Sequence, residues 1–129
     1  MGSEDERWDR KRIGDFGEKV ALRHLQARGW KLLYRNFRGP RGGEVDIVMR
    51  GGEGHDLLVF VEVKTRTWKG FGRPLEAVDA KKQELLRRGA SAWLRELGRR
   101  DIPWRFDVVE VVLTEGKKPE VNLVENAFS

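Results

Sequence analysis

The run LLVFVEVK at residues 57–64 constrains this chain more than any other stretch. It is short, rich in β-branched residues and apolar almost to its end, as expected of a central strand covered on both faces. Such a strand needs neighbours in a sheet and helices packed on it, so it predicts a layered α/β or α+β domain. At 129 residues the chain suits one domain with one core.

The remaining elements follow from periodicity and punctuation. A helix is expected over residues 14–28, with Asp15 as its cap and Gly29 ending it. The first twelve residues, MGSEDERWDRKR, read as a loose polar tail, leaving 13–129 as the domain. A short strand (30–36), a Gly/Arg turn (37–43) and a second strand, EVDIVM (44–49), come next. GGEGHD joins that strand to 57–64 as a hairpin, and residues 65–74 read as a loop. A second amphipathic helix is expected over 74–97, with Leu86, Ala90, Trp93, Leu94 and Leu97 on its apolar side. A strand over 104–113 follows, with a weaker one near 121–124. The order is α-β-β-β-α-β, with one further strand in view.

Side chains alternate along a strand. Val59, Val61 and Val63 therefore share one face of the central run, and Leu58, Phe60, Glu62 and Lys64 the other. Two opposite charges thus end an apolar face, roughly 6–7 Å apart along the strand. In the preceding strand Val45 and Ile47 point one way, and Glu44, Asp46 and Val48 the other. Pairing the two strands brings Asp46 near Glu62. Neighbouring carboxylates repel and raise one pKa unless a cation lies between them. A divalent ion with oxygen preference, Mg²⁺ or Mn²⁺, suits that place. Lys64 adds an ammonium that can stabilise phosphate charge or position an attacking water. The bland alternative is a surface ion pair between Glu62 and Lys64. Glu-x-Lys also recurs at Glu115-Gly116-Lys117, in an expected turn that cannot offer the same geometry.

Glu18, on the first helix, shares a face with Leu22 and Leu25 and is a candidate fourth site residue. Its competing role is a capping box with Asp15; the residues alone leave both open. The glycines from Gly39 to Gly54 form no phosphate-binding loop, and His24 and His55 are too few and too separated for a metal site.

Lys and Arg total 26 against 21 Asp and Glu, a net charge of +5 that suits a polyanionic partner. Arg38, Arg41, Arg66, Lys69 and Arg73 fall in loops flanking the proposed site, interleaved with Trp68 and Phe71. They are candidates for tracking a nucleic-acid backbone and stacking on bases. Lys81, Lys82, Arg87 and Arg88 read as a solvated helix face that can extend this basic surface, and Gln83 as a residue that can reach the site. With no cysteine the chain has no disulfide, thiolate metal site or cysteine nucleophile. No signal peptide and no run of ~20 apolar residues is seen, so no membrane role and a cytoplasmic location are expected.

The ordered motifs Gly17-Glu18, GGEVDIV, LLVFVEVKTR, FGRPLEAV and RFDVV, spanning residues 14–112, resemble the YraN family of uncharacterised bacterial proteins. That family is similar to the PD-(D/E)XK nucleases, close to archaeal Holliday junction resolvases. The resemblance implies a restriction-endonuclease-like core, a mixed central sheet flanked by helices. It also implies a Mg²⁺-dependent site on DNA, with branched or damaged DNA as candidate substrates. Asp46 matches the acidic residue of the second core strand, Glu62 and Lys64 the E-x-K pair, and Glu18 the helix glutamate of resolvase-like members. Val45 stands where the nominal pattern has proline. A homodimer is compatible with this reading. The alternative is a non-catalytic nucleic-acid-binding module with the same fold.

Overall fold

The computed structural model describes residues 10–52, 54, 56–68, 78–99 and 101–129, with the Trp68 side chain excepted. The elements run α1 (Arg10–Ala27), β1 (Lys31–Arg38), a 3-10 turn (Pro40–Gly42), β2 (Glu44–Gly51), β3 (Leu57–Trp68), α2 (Ala80–Leu97), β4 (Trp104–Thr114) and β5 (Glu120–Phe128). The strands form one sheet in the order β1-β2-β3-β4-β5. β3 and β4 are parallel, and the other neighbours antiparallel. This mixed sheet with two helices is consistent with a restriction-endonuclease-like fold, and its order extends the expected one by β5.

The central run behaves as its composition demands. Val59 and Val61 pack with Ala21 and Leu25 of α1, and with Ile47, Met49, Val109 and Val111. Leu58 and Phe60 pack on the other face with Leu86, Ala90 and Leu94 of α2, and with Phe106 and Val108. Two apolar layers therefore share one sheet, and β3 lies at its middle.

Several boundaries differ from expectation. α1 begins at Arg10 rather than near Gly14, so Asp15 lies inside the helix and pairs with Lys11 one turn back at 3.9 Å. A residue inside a helix cannot be its N-cap, and the capping-box reading of Asp15 and Glu18 falls. Residues 65–68, expected as loop, continue β3 because each pairs in register with β4, from Thr65↔Val111 to Trp68↔Thr114. α2 starts at Ala80, where the Asp79 carboxylate accepts from the Lys82 N–H at 2.8 Å, and Gly98 ends it at φ 74. The segment 74–77, expected within that helix, lies outside the described residues, as do His55, Lys69, Phe71 and Arg73.

The helices approach the sheet at glycines. A Cβ on Gly43 would lie 2.5 Å from the Gly89 nitrogen and 2.7 Å from the Arg88 carbonyl carbon. One on Gly89 would lie 2.8 Å from Val45 Cγ2. α2 thus rests directly on the start of β2. On the opposite face Gly17 meets Thr65 of β3 so closely that its Cβ would overlap the threonine side chain. Both crossings lie beside candidate site residues.

Gly43→Ala should lower stability by about 1–3 kcal/mol through backbone overpacking. Gly14→Ala, with nothing within 4 Å of its Cβ, should raise it by up to about 1 kcal/mol through helix propensity. Thermal or urea unfolding of the two variants checks the contrast.

Candidate functional site

The sheet opens where the acidic residues stand. The β2–β3 ladder runs from Gly51↔Leu57 to Ile47↔Val61. Beyond it the Asp46 Oδ2 accepts a hydrogen bond from the Val63 N–H at 2.9 Å, a side chain bridging the two strands. A turn of the backbone accompanies this opening. β1 pairs Phe37 with Val45 and Arg35 with Ile47, and between those pairs stand Asn36, at φ 53, and Asp46. Val45 packs on the α2 side with Phe37, whereas Ile47 packs on the α1 side. Plain alternation had put Val45 and Ile47 together; the structure puts them in separate layers, with the left-handed Asn36 on the neighbouring strand between their pairing partners.

Glu62 is only 5% exposed. Its Oε1 is buried with no hydrogen-bond partner, and its Oε2 lies 3.7 Å from Lys82 Nζ. Burial pushes the Glu62 carboxyl up to about 9. The charge of Asp46, and a hydrogen bond with it that favours the protonated form, push the same way; Lys82 and Lys64 oppose. Glu18, from α1, is also raised, first by burial and then by Asp46, with Arg35 opposing at 3.8 Å. Asp46 is thus the common neighbour of Glu62 and Glu18. Lys64 lies two residues beyond Glu62, in register with Glu110 of β4. Among the described residues, no group of three or more His, Asp or Glu side chains is arranged to hold a metal ion.

Lys82 and Glu44 complete the cluster. Lys82 Nζ bonds Glu44 Oε1 at 2.5 Å while facing Glu62. Burial alone would push this ammonium down, but the Glu44 hydrogen bond and the charges of Glu62 and Asp46 outweigh it and the net shift is up. Lys82 holds Glu44 below the usual carboxylate range, with a smaller contribution from Arg38. Lys82 was read as part of a solvated helix face; capping at Asp79 instead turns it over the end of β2. The available signal was Glu44, two residues before Asp46. Gln83 does not reach the cluster: its amide donates to the Val78 carbonyl and its oxygen accepts from Arg87.

The basic candidates separate. Arg38 is exposed and pairs with Glu44 at 3.2 Å. Arg41 stands in the 3-10 turn at φ 63. Arg66 lies in β3 rather than in a loop and opposes the burial-driven rise of the Glu110 pKa. Trp68 ends β3. The second Glu-x-Lys sits in a turn closed by the Lys117 N–H on the Thr114 carbonyl, with Gly116 at φ 76.

Because the fold holds a proton on Glu62, its contribution to stability is complete below 4.5 and is lost as pH rises toward about 9. Glu62→Gln cannot titrate. It should gain on the native protein by on the order of 1–3 kcal/mol between pH 5 and 9, with little difference near pH 4. Thermal unfolding across that range checks the sign.

Residues 17–111 match the family described as "Uncharacterised protein family UPF0102". A UPF0102 protein of Trichlorobacter lovleyi is 42% identical over 116 residues, covering 90% of this chain and 89% of that one. One from Symbiobacterium thermophilum is 44% identical over 118 residues, covering 92% and 97%. One from Alkaliphilus oremlandii is 45% identical over 120 residues, covering 92% and 98%. The chain belongs to the UPF0102 family, the YraN family that its motifs resemble.

Proposed function

We propose that Asp46, Glu62 and Lys64 form the centre of a Mg²⁺- or Mn²⁺-dependent DNA endonuclease of the PD-(D/E)XK type. The observation that carries this reading is the Glu62 Oε1: buried, without a partner, next to a second carboxylate and two residues before a lysine. Leaving a buried carboxylate oxygen unsatisfied costs stability, and such a group calls for a functional reason.

The donors fit a hard divalent cation, since they are carboxylate oxygens and the chain has no thiolate. Asp46 and Glu62 would hold it, with Glu18 as a further ligand or a group that orients water. Such a cation, when bound, supplies Lewis-acid stabilisation of phosphoryl charge and a more acidic water. Lys64 meets the charge that develops on the phosphate and helps position the attacking water. Its place on β3, braced by the parallel ladder to β4, fixes it relative to Glu62. Arg38, Arg41, Arg66, Trp68, Lys69 and Arg73 are proposed to contact DNA around this centre. Branched or damaged DNA in the cytoplasm is the proposed substrate, and a homodimer is compatible with this reading. No helix of the described residues is long and apolar enough to cross a membrane.

The second reading is a nucleic-acid-binding module without catalysis. Lys82 favours it, because its ammonium already faces both Glu44 and Glu62.

Linear, nicked and four-way-junction DNA incubated with the protein in Mg²⁺ or Mn²⁺ separates the readings. Cleavage that Asp46→Ala and Lys64→Ala each reduce by about 10²-fold or more supports the endonuclease. Salt-sensitive binding without cleavage supports the module. Neither cleavage nor binding removes both.

A further inference from the structure

A second candidate site lies on α2, and none of the acidic cluster's residues lines it. A cleft of about 170 Å³ is lined by Arg41, Arg87, Arg88, Arg95, Ser91 and Glu84 among others, four arginines and one acidic side chain. We infer that this cleft binds the phosphodiester backbone of a nucleic acid. The inference builds on the nucleic-acid reading above, which already gives Arg41 a DNA contact, but not on catalysis.

Two of the guanidiniums, Arg87 and Arg88, differ from an ordinary solvated helix face in how they are held. Arg88 bridges the two walls: its Nε donates to Glu84 at 3.2 Å, and its NH1 donates to the Arg41 carbonyl at 3.1 Å. That second bond holds Arg41 at φ 63, a conformation side-chain-bearing residues rarely adopt. Arg87 donates to the Ser129 carbonyl at 2.8 Å and to Gln83 at 3.1 Å, and lies 5.6 Å from the Phe128 ring. Arg41 and Arg95 make no ion pair with a described residue within 4.0 Å. Guanidiniums ordered in advance lose less freedom when they bind a phosphate, and their planar forks match its oxygens.

The dimensions favour a polymer. From Arg88 to Arg95 the helix advances about 10 Å, against an axial rise of about 3.4 Å per nucleotide, so the row spans roughly three phosphates. The cleft shares α2, and the Gly43–Gly89 crossing that seats it, with Lys82 and Glu44 of the acidic cluster. A backbone held here would therefore be fixed relative to that cluster by one rigid helix.

Binding of a labelled 20-base-pair duplex, in EDTA and across 50–200 mM KCl, tests this with the full chain. The variant Arg41→Gly/Arg95→Gln removes two charges; glycine accepts the backbone of position 41, and Arg95 is exposed. Binding at low salt should weaken at least about tenfold, and the slope of log affinity against log salt should fall by roughly 2. Lys118→Gln, in the exposed β4–β5 turn, should change neither by a comparable amount. If the double variant unfolds, Arg95→Glu alone must show the same loss. Unchanged affinity, or weaker binding with an unchanged slope, overturns the inference. So does selective binding of an acidic peptide with no DNA binding. Cleavage in Mg²⁺ that is indifferent to both arginines overturns this inference and leaves the endonuclease standing. Arginine-dependent binding without cleavage does the reverse.

Discussion

The rest of the site depends on one carboxylate that the fold keeps out of water. Glu62 closes the apolar run in the middle of β3 with one oxygen unpaired, where β2 and β3 stop exchanging backbone hydrogen bonds. Desolvating a carboxylate is costly, so the chain meets that cost in two ways: a proton on Glu62, and the Lys82 ammonium nearby. Neither fully satisfies the group, since Oε1 still lacks a partner. The proposed divalent cation would take the place of that proton.

The surrounding elements maintain that tension. Asn36, at φ 53, stands on β1 beside the point where the Asp46 carboxylate caps the Val63 N–H. Gly17 brings α1 against Thr65 and places Glu18 beside Asp46; Gly43 and Gly89 bring α2 against β2 and place Lys82 beside Glu44. Each helix therefore delivers one charged side chain to the opening through a contact that tolerates no Cβ. Arg88, which the Gly43 crossing meets, also lines the arginine cleft, so the two features share one helix.

How much of this was legible depends on where the signal lay. The run at 57–64 announced β3 because its burial on both faces is written in its composition, and the spacing of Glu62 and Lys64 followed directly. Residues 65–68 were hidden, since TRTW is polar enough for a loop and becomes strand only by pairing with β4. β5 was faint because an edge strand with mostly exposed side chains needs no apolar alternation. The start of α1 was misplaced because RKR carries no apolar period, and that error created a capping role for Asp15. Lys82 was missed for a related reason: a helix begun at residue 74 gives no hint that a cap at Asp79 sets the lysine over β2. Arg66 was read as loop for the same cause that hid its strand. The opening itself, where the β2–β3 pairing ends at Ile47↔Val61, has no local signature.

The most direct test is the titration of the Glu62 side-chain carboxyl in the metal-free protein, followed by carbon NMR and assigned with Glu62→Gln. The expected midpoint lies far above the ordinary 4.5, at about 9, and moves up further in Lys82→Met as the opposing ammonium is removed. A midpoint in the usual carboxylate range, unmoved by Lys82→Met, would contradict the buried, crowded carboxylate on which the site is built.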